Sequence, residues 1–142
     1  MLLPPSTNAD YRGARSAAWF LTLAAVLTIV PGLIHSFLPD GGAGVIAGLD
    51  MGDKRDLVVS VFAWEGATQL ALGFAMLAVA IRYRPLTPLF LALLILERSL
   101  MTLQAWVLKP GPHHPPEHYA SPVTVVLAAV FLALSLRTNN SR

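Results

Sequence analysis

A chain that places Glu97 and Arg98 near the middle of the apolar run Leu89–Leu108 has few ways to fold. A charged side chain at the centre of a membrane helix costs about 2.5–3.5 kcal/mol on insertion scales. Each Leu, Ile, Phe or Val returns only about 0.3–0.6 kcal/mol, and roughly a dozen of them leave this segment near balance. It is a poor lone span, so other segments must cover its charges. The expected cover is Glu65, in the preceding apolar segment.

Four apolar segments can supply a bundle: Ala17–Leu38, Leu57–Ile81, Leu86–Leu108 and Pro122–Leu136. The first three reach the length of about 20 residues that a span needs, and the fourth is short. Only 13% of the residues are charged, roughly half of what a soluble domain carries. No segment has the polar face that a soluble bundle needs. The fold expected is all-α, a polytopic membrane protein with four antiparallel transmembrane helices near 17–38, 57–81, 87–108 and 121–137. Residues 1–15 read as a disordered cytoplasmic lead, and 138–142 as a cytoplasmic tail.

The basic residues report orientation. Arg12, Arg15, Arg82, Arg84, Arg137 and Arg142 fall at one end of the segments; Lys54, Arg55 and Lys109 fall at the other. That asymmetry in short loops favours both termini in the cytoplasm of a cell bounded by an inner (plasma) membrane. Basic residues so few and so scattered do not suggest nucleic acid as a partner. The absence of cysteine excludes disulfides and thiolate chemistry.

Along the first segment, Thr28, Gly32 and His35 share a face, and Pro31 kinks the helix a turn before His35. The glycine-rich stretch Pro39–Asp56 lacks the strand and helix of a phosphate-binding loop and reads as a compact outer loop. In the second segment Glu65 and Gln69 share a face. The stripe Ala63, Ala67 and Ala71 reads as a small-residue seam, with Gly66 and Gly73 a second close-approach line, so that Glu65 points inward. Thr87 reads as the N-cap of the third helix, with Pro88 at its first position. That helix aligns Glu97, Met101 and Gln104, while Arg98 is rotated about 100° away.

Antiparallel threading brings His35, Glu65, Gln69, Glu97 and Gln104 into one polar zone in the outer half of the bundle. Two carboxylates against Arg98 leave surplus negative charge. One carboxylate is therefore expected protonated, or His35 or a cation makes up the balance. The expected function is binding or transforming a small amphiphile in an outward-opening pocket. Glu65 and Glu97 would exchange protons and Arg98 would set their charge; His35, Trp64, Gln69, Met101 and Gln104 would contact the ligand. Whether this is an enzyme is left open. The alternatives are an accessory subunit of a membrane complex, or a proton-coupled small transporter acting as a homodimer. Membrane lipid is the partner common to all three, and no cofactor is expected. His113, His114 and His118, with Glu117, are weak candidates for zinc or copper, because Pro115 and Pro116 argue against a regular helix there.

The layout resembles the small DoxX-like four-helix membrane proteins of bacteria. The likeness lies in an N-terminal helix, a Gly/Ala-rich second helix with a carboxylate (Trp64-Glu65-Gly66 through Gly73) and two further helices. It implies mainly the fold. Glu65 with Gln69 is also similar to the pattern of EXPERA-type four-helix proteins, which include sterol isomerases and lipid binders. In those, carboxylates from two helices line a sterol pocket, which would map onto Glu65 and Glu97.

Overall fold

The computed structural model describes residues 2–137; the expected tail at 138–142 lies outside them. Four long helices dominate: α1 (Arg15–Phe37), α2 (Arg55–Arg82), α3 (Thr87–Leu103) and α4 (Pro116–Leu136). All four are long and apolar enough to cross a membrane, and no strand occurs among the described residues. α3 continues through a π-type turn over Gln104–Leu108.

α1 is the most covered helix, packing chiefly on α2 and then on α4, while α3 pairs with α4. The common core joins Leu21, Ala24 and Ala25 of α1, Met76 and Val79 of α2, Leu91 and Leu94 of α3, and Ala128 of α4. Phe20 stacks on Phe131 with ring centroids 4.4 Å apart, fixing α1 against α4.

The α1–α2 contact is set by glycine. A Cβ added to Gly66 would lie 2.8 Å from the Gly32 carbonyl, and one on Gly73 would lie 2.6 Å from Ile29 Cγ1. Gly66 and Gly73 are buried, whereas Ala67 and Ala71 are exposed. The alanine seam expected from the sequence therefore gives way to the glycine line. Backbones meet where the side chain vanishes, and that closer approach turns α2 about its axis.

Two helix starts also differ from expectation. α4 begins at Pro116 instead of near residue 121, since proline at a first helical position forfeits only a donor that has no partner there. Thr87 does not cap α3; Leu86 holds that position after a short 3₁₀ turn over Arg84–Leu86.

The lead before α1 is held in place. The Thr7 amide donates to the Arg82 carbonyl at 3.1 Å, and the Asn8 side chain donates to the Ile81 carbonyl at 2.6 Å. Asn8 Oδ1 accepts the Arg84 amide, and Tyr83 and Arg82 both donate to the Pro4 carbonyl. The segment expected to be disordered is a strap across the end of α2, because that helix end offers carbonyls without helical donors.

Candidate functional site

The face Thr28, Gly32 and His35 is buried, as its spacing predicts. His35 Nδ1 lies 2.6 Å from the Gly41 carbonyl, so Nδ1 carries the proton and Nε2 is left facing Glu117 Oε1 at 3.9 Å. Gly41 reaches this position because the Asp40 carboxylate gathers the loop after α1. It accepts the amides of Gly42, Gly44 and Val45 at 2.8–3.0 Å, which holds its pKa below the usual carboxylate range. Gly41 and Gly42 have φ of +61° and +78°, a backbone that other residues rarely adopt. The loop folds onto the bundle end, where the Ala47 carbonyl meets His113 Nε2.

Beneath the loop, a cavity of about 370 Å³ opens between α1, α3 and α4. Phe20, Leu23, Leu27, Leu94 and Leu127 give it apolar walls. Its polar groups are Thr28, Gln69, Arg98, Glu117 and Thr124. Pro31 removes the helical donor to the Leu27 carbonyl, and both residues line the cavity. A smaller hollow of about 80 Å³ adjoins it, bounded by His35, Pro31, Ile46 and Glu117.

Arg98 is largely buried, its side chain 15% exposed. Its Nε sits 3.6 Å from Glu97 Oε2, too far for a hydrogen bond, and both atoms are buried without a hydrogen-bond partner. Its Nη1 approaches Met101 Sδ at 3.7 Å. Gln69 donates to Glu65 through Nε2 at 3.1 Å, while its buried Oε1 has no partner. The cavity is thus bordered by a buried cation and a buried amide that still have hydrogen-bonding capacity to offer.

No protein family, curated protein or solved structure matches this chain. Its own geometry therefore carries the argument.

That geometry divides the expected site residues. His35, Gln69 and Arg98 converge on the cavity and its annex. Glu65 and Trp64 do not: both are exposed on the outer face of α2, because the glycine line sits one residue further round the helix. Gln104 is also exposed, its carbonyl accepting the Lys109 amide in the π turn. Glu97 is half-buried beside Arg98, and neither it nor Met101 lines the cavity. With Glu65 outside, Glu97 and Arg98 offset each other, and the second carboxylate near the cavity is Glu117, which faces His35.

Glu117, which the sequence offers only beside the loop histidines as a weak metal candidate, takes a different place: Pro116 starts α4 and puts Glu117 in the first turn, over the cavity. The same change brings His114 Nδ1 within 3.0 Å of His118 Nδ1, with the Trp106 ring stacked on His114. Among the described residues no group of three or more His, Asp or Glu side chains is placed to hold a metal ion.

Proposed function

We propose that this chain is a multi-pass membrane protein that binds a small amphiphile in the cavity between α1, α3 and α4. The single observation behind it is the pair of unpartnered buried atoms, Arg98 Nε and Gln69 Oε1, belonging to side chains that line an apolar cavity. A head group with an acceptor for the Arg98 guanidinium and a donor for the Gln69 amide would give these side chains hydrogen bonds that the protein does not supply. The apolar walls would take the tail. His35 and Glu117 face each other at 3.9 Å beside the cavity and are the residues to which this reading assigns any acid–base role, in place of Glu65.

The distribution of basic residues supports a bacterial inner-membrane orientation with both termini in the cytoplasm. Kinship with DoxX-like proteins rests on helix order alone. The EXPERA-type parallel rests on Glu65 with Gln69 and on Glu97, of which Gln69 lines this cavity.

The test is native mass spectrometry of the protein released gently from its own membranes, beside Arg98→Gln and Glu65→Gln variants. A co-purifying small molecule that is lost in Arg98→Gln and kept in Glu65→Gln is the expected result. A bare protein in all three preparations would refute the reading.

One observation favours a second reading, that of a subunit in a larger assembly. Trp64, Glu65 and Thr68 lie exposed on α2, the least buried helix. A carboxylate on the lipid-facing side of a span calls for a partner to cover it. Loss of a stoichiometric partner, or of a homodimer, in Glu65→Gln would support that reading.

A further inference from the structure

The end of the bundle where α1 begins and α4 finishes has a second, unrelated cavity. The strap before α1 and the turn after α2 enclose about 580 Å³, bordered by Asn8, Tyr11, Arg12, Arg15 and Arg84 among others. No carboxylate lines it, and among the described residues none lies within 4.0 Å of these three guanidinium groups. Asp10 borders the neighbouring hollow, with Arg12 and Arg137. Asn8 is already committed through both side-chain atoms, and Arg84 spends Nε on the Ala80 carbonyl. Tyr11 donates to the Ala14 carbonyl; burial raises its pKa against the opposing pull of Arg84, so the phenol stays neutral. The cavity therefore has an uncompensated positive lining, at the start of a helix whose free amide groups add to it.

A groove of about 310 Å³ continues from this cavity along the outside of α1 and α2. Arg15 and Arg84 line both spaces. Beyond them the groove is walled by Ala18, Trp19, Thr22 and Ile81, with Trp19 71% exposed one turn into α1. A tryptophan at that depth marks the interface between head groups and acyl chains.

We propose that this end of the protein binds one anionic phospholipid, its phosphate among Arg12, Arg15 and Arg84 and one acyl chain in the groove beside Trp19. The inference rests on the membrane reading above. It concerns a different site from the amphiphile cavity, at the opposite end of the bundle. Three cations with no carboxylate within 4.0 Å among the described residues select for a negative head group, and the apolar groove that shares two of them selects for a lipid over a free anion. The strap is part of the site, because without it Arg12 and Tyr11 would not reach the ends of α1 and α2.

The experiment uses the full chain extracted from membranes in mild detergent, stripped of lipid, and offered equimolar phosphatidylglycerol and phosphatidylcholine with identical acyl chains. Native mass spectrometry counts the lipid retained. Phosphatidylglycerol should be preferred on the order of 100-fold, and Arg12→Gln or Arg15→Gln alone should each cost about five-fold. Arg12→Gln/Arg15→Gln/Arg84→Gln should erase the preference. Lys54→Gln/Arg55→Gln/Lys109→Gln, which removes equal charge from the opposite end, should leave it intact. Trp19→Ala should weaken retention of the lipid. Equal retention of both lipids, or equal loss in the two triple variants, overturns the proposal. So does displacement of the lipid by millimolar inorganic phosphate, which would mark a free-anion site. Recovery of the chain from the soluble fraction would defeat the membrane reading itself; recovery in membranes without lipid preference would defeat this inference alone.

Discussion

Trp106 donates its indole N–H to the His118 carbonyl at 3.0 Å, the acceptor that Pro122 leaves without a helical donor. Proline at 122 cannot supply the i→i−4 bond, and α4 nevertheless runs unbroken through it. The α3–α4 connection thus repairs a defect in α4 with a side chain from the end of α3. Trp106→Phe should destabilise the protein by about 1 kcal/mol. In a Pro122→Ala background the restored amide reclaims His118, so the same substitution should cost measurably less. Thermal unfolding of the four proteins in detergent reads this coupling; strictly additive effects would refute it.

The glycine line between α1 and α2 makes a second, asymmetric prediction. Gly66→Ala should cost about 1–3 kcal/mol, because its methyl meets the backbone of Gly32 and Ser36. Ala67→Leu, on the exposed side of the same helix, should stay within about 0.5 kcal/mol. The measurement is unfolding midpoint against denaturant in one detergent.

Glu97 and Arg98 should behave as a unit. Glu97→Gln leaves a largely buried cation without its counter-charge and should destabilise by about 1–3 kcal/mol, discounted for the partial exposure of both groups. Adding Arg98→Met should recover most of that loss. A double variant as unstable as the single would show that the pair contributes no electrostatic coupling.

The outer loop should loosen in acid. The Asp40 pKa is lowered by the amides of Val45, Gly42 and Gly44. A depressed folded pKa means that the contribution is complete above the unfolded value of about 3.9 and is lost as pH falls through the folded value below it. Hydrogen exchange at Gly42, Gly44 and Val45 should therefore accelerate below that range. In Asp40→Ala exchange should be fast at every pH and the acid step should vanish.

The sequence made the four helices legible, since apolar length alone marks them, and the buried face Thr28–Gly32–His35 follows from a spacing of one helical turn. The rotation of α2 was not legible. For a helix that can face lipid on one side and protein on the other, both faces are apolar, so periodicity cannot say which side is inside. Ala63, Ala67 and Ala71 and the pair Gly66 and Gly73 were equally good seams on paper. The choice between them moved Glu65 from the site to the surface. Glu117 is obscured for a different reason: Pro115 and Pro116 argue against a regular helix across the histidines, although proline commonly begins one. The strap at residues 4–11 left no trace in composition, because its order comes from carbonyls some 70 residues further along the chain.

The strap also constrains the order in which the molecule can be completed. Its partners, Ile81 to Arg84, lie at the end of α2 and in the turn after it, so they are synthesised only after α1 and nearly all of α2. The strap must therefore wait unpaired until the α1–α2 hairpin has closed. A bulky fusion placed directly ahead of Pro4 would interfere at that late step, leaving four correctly formed helices with an open end.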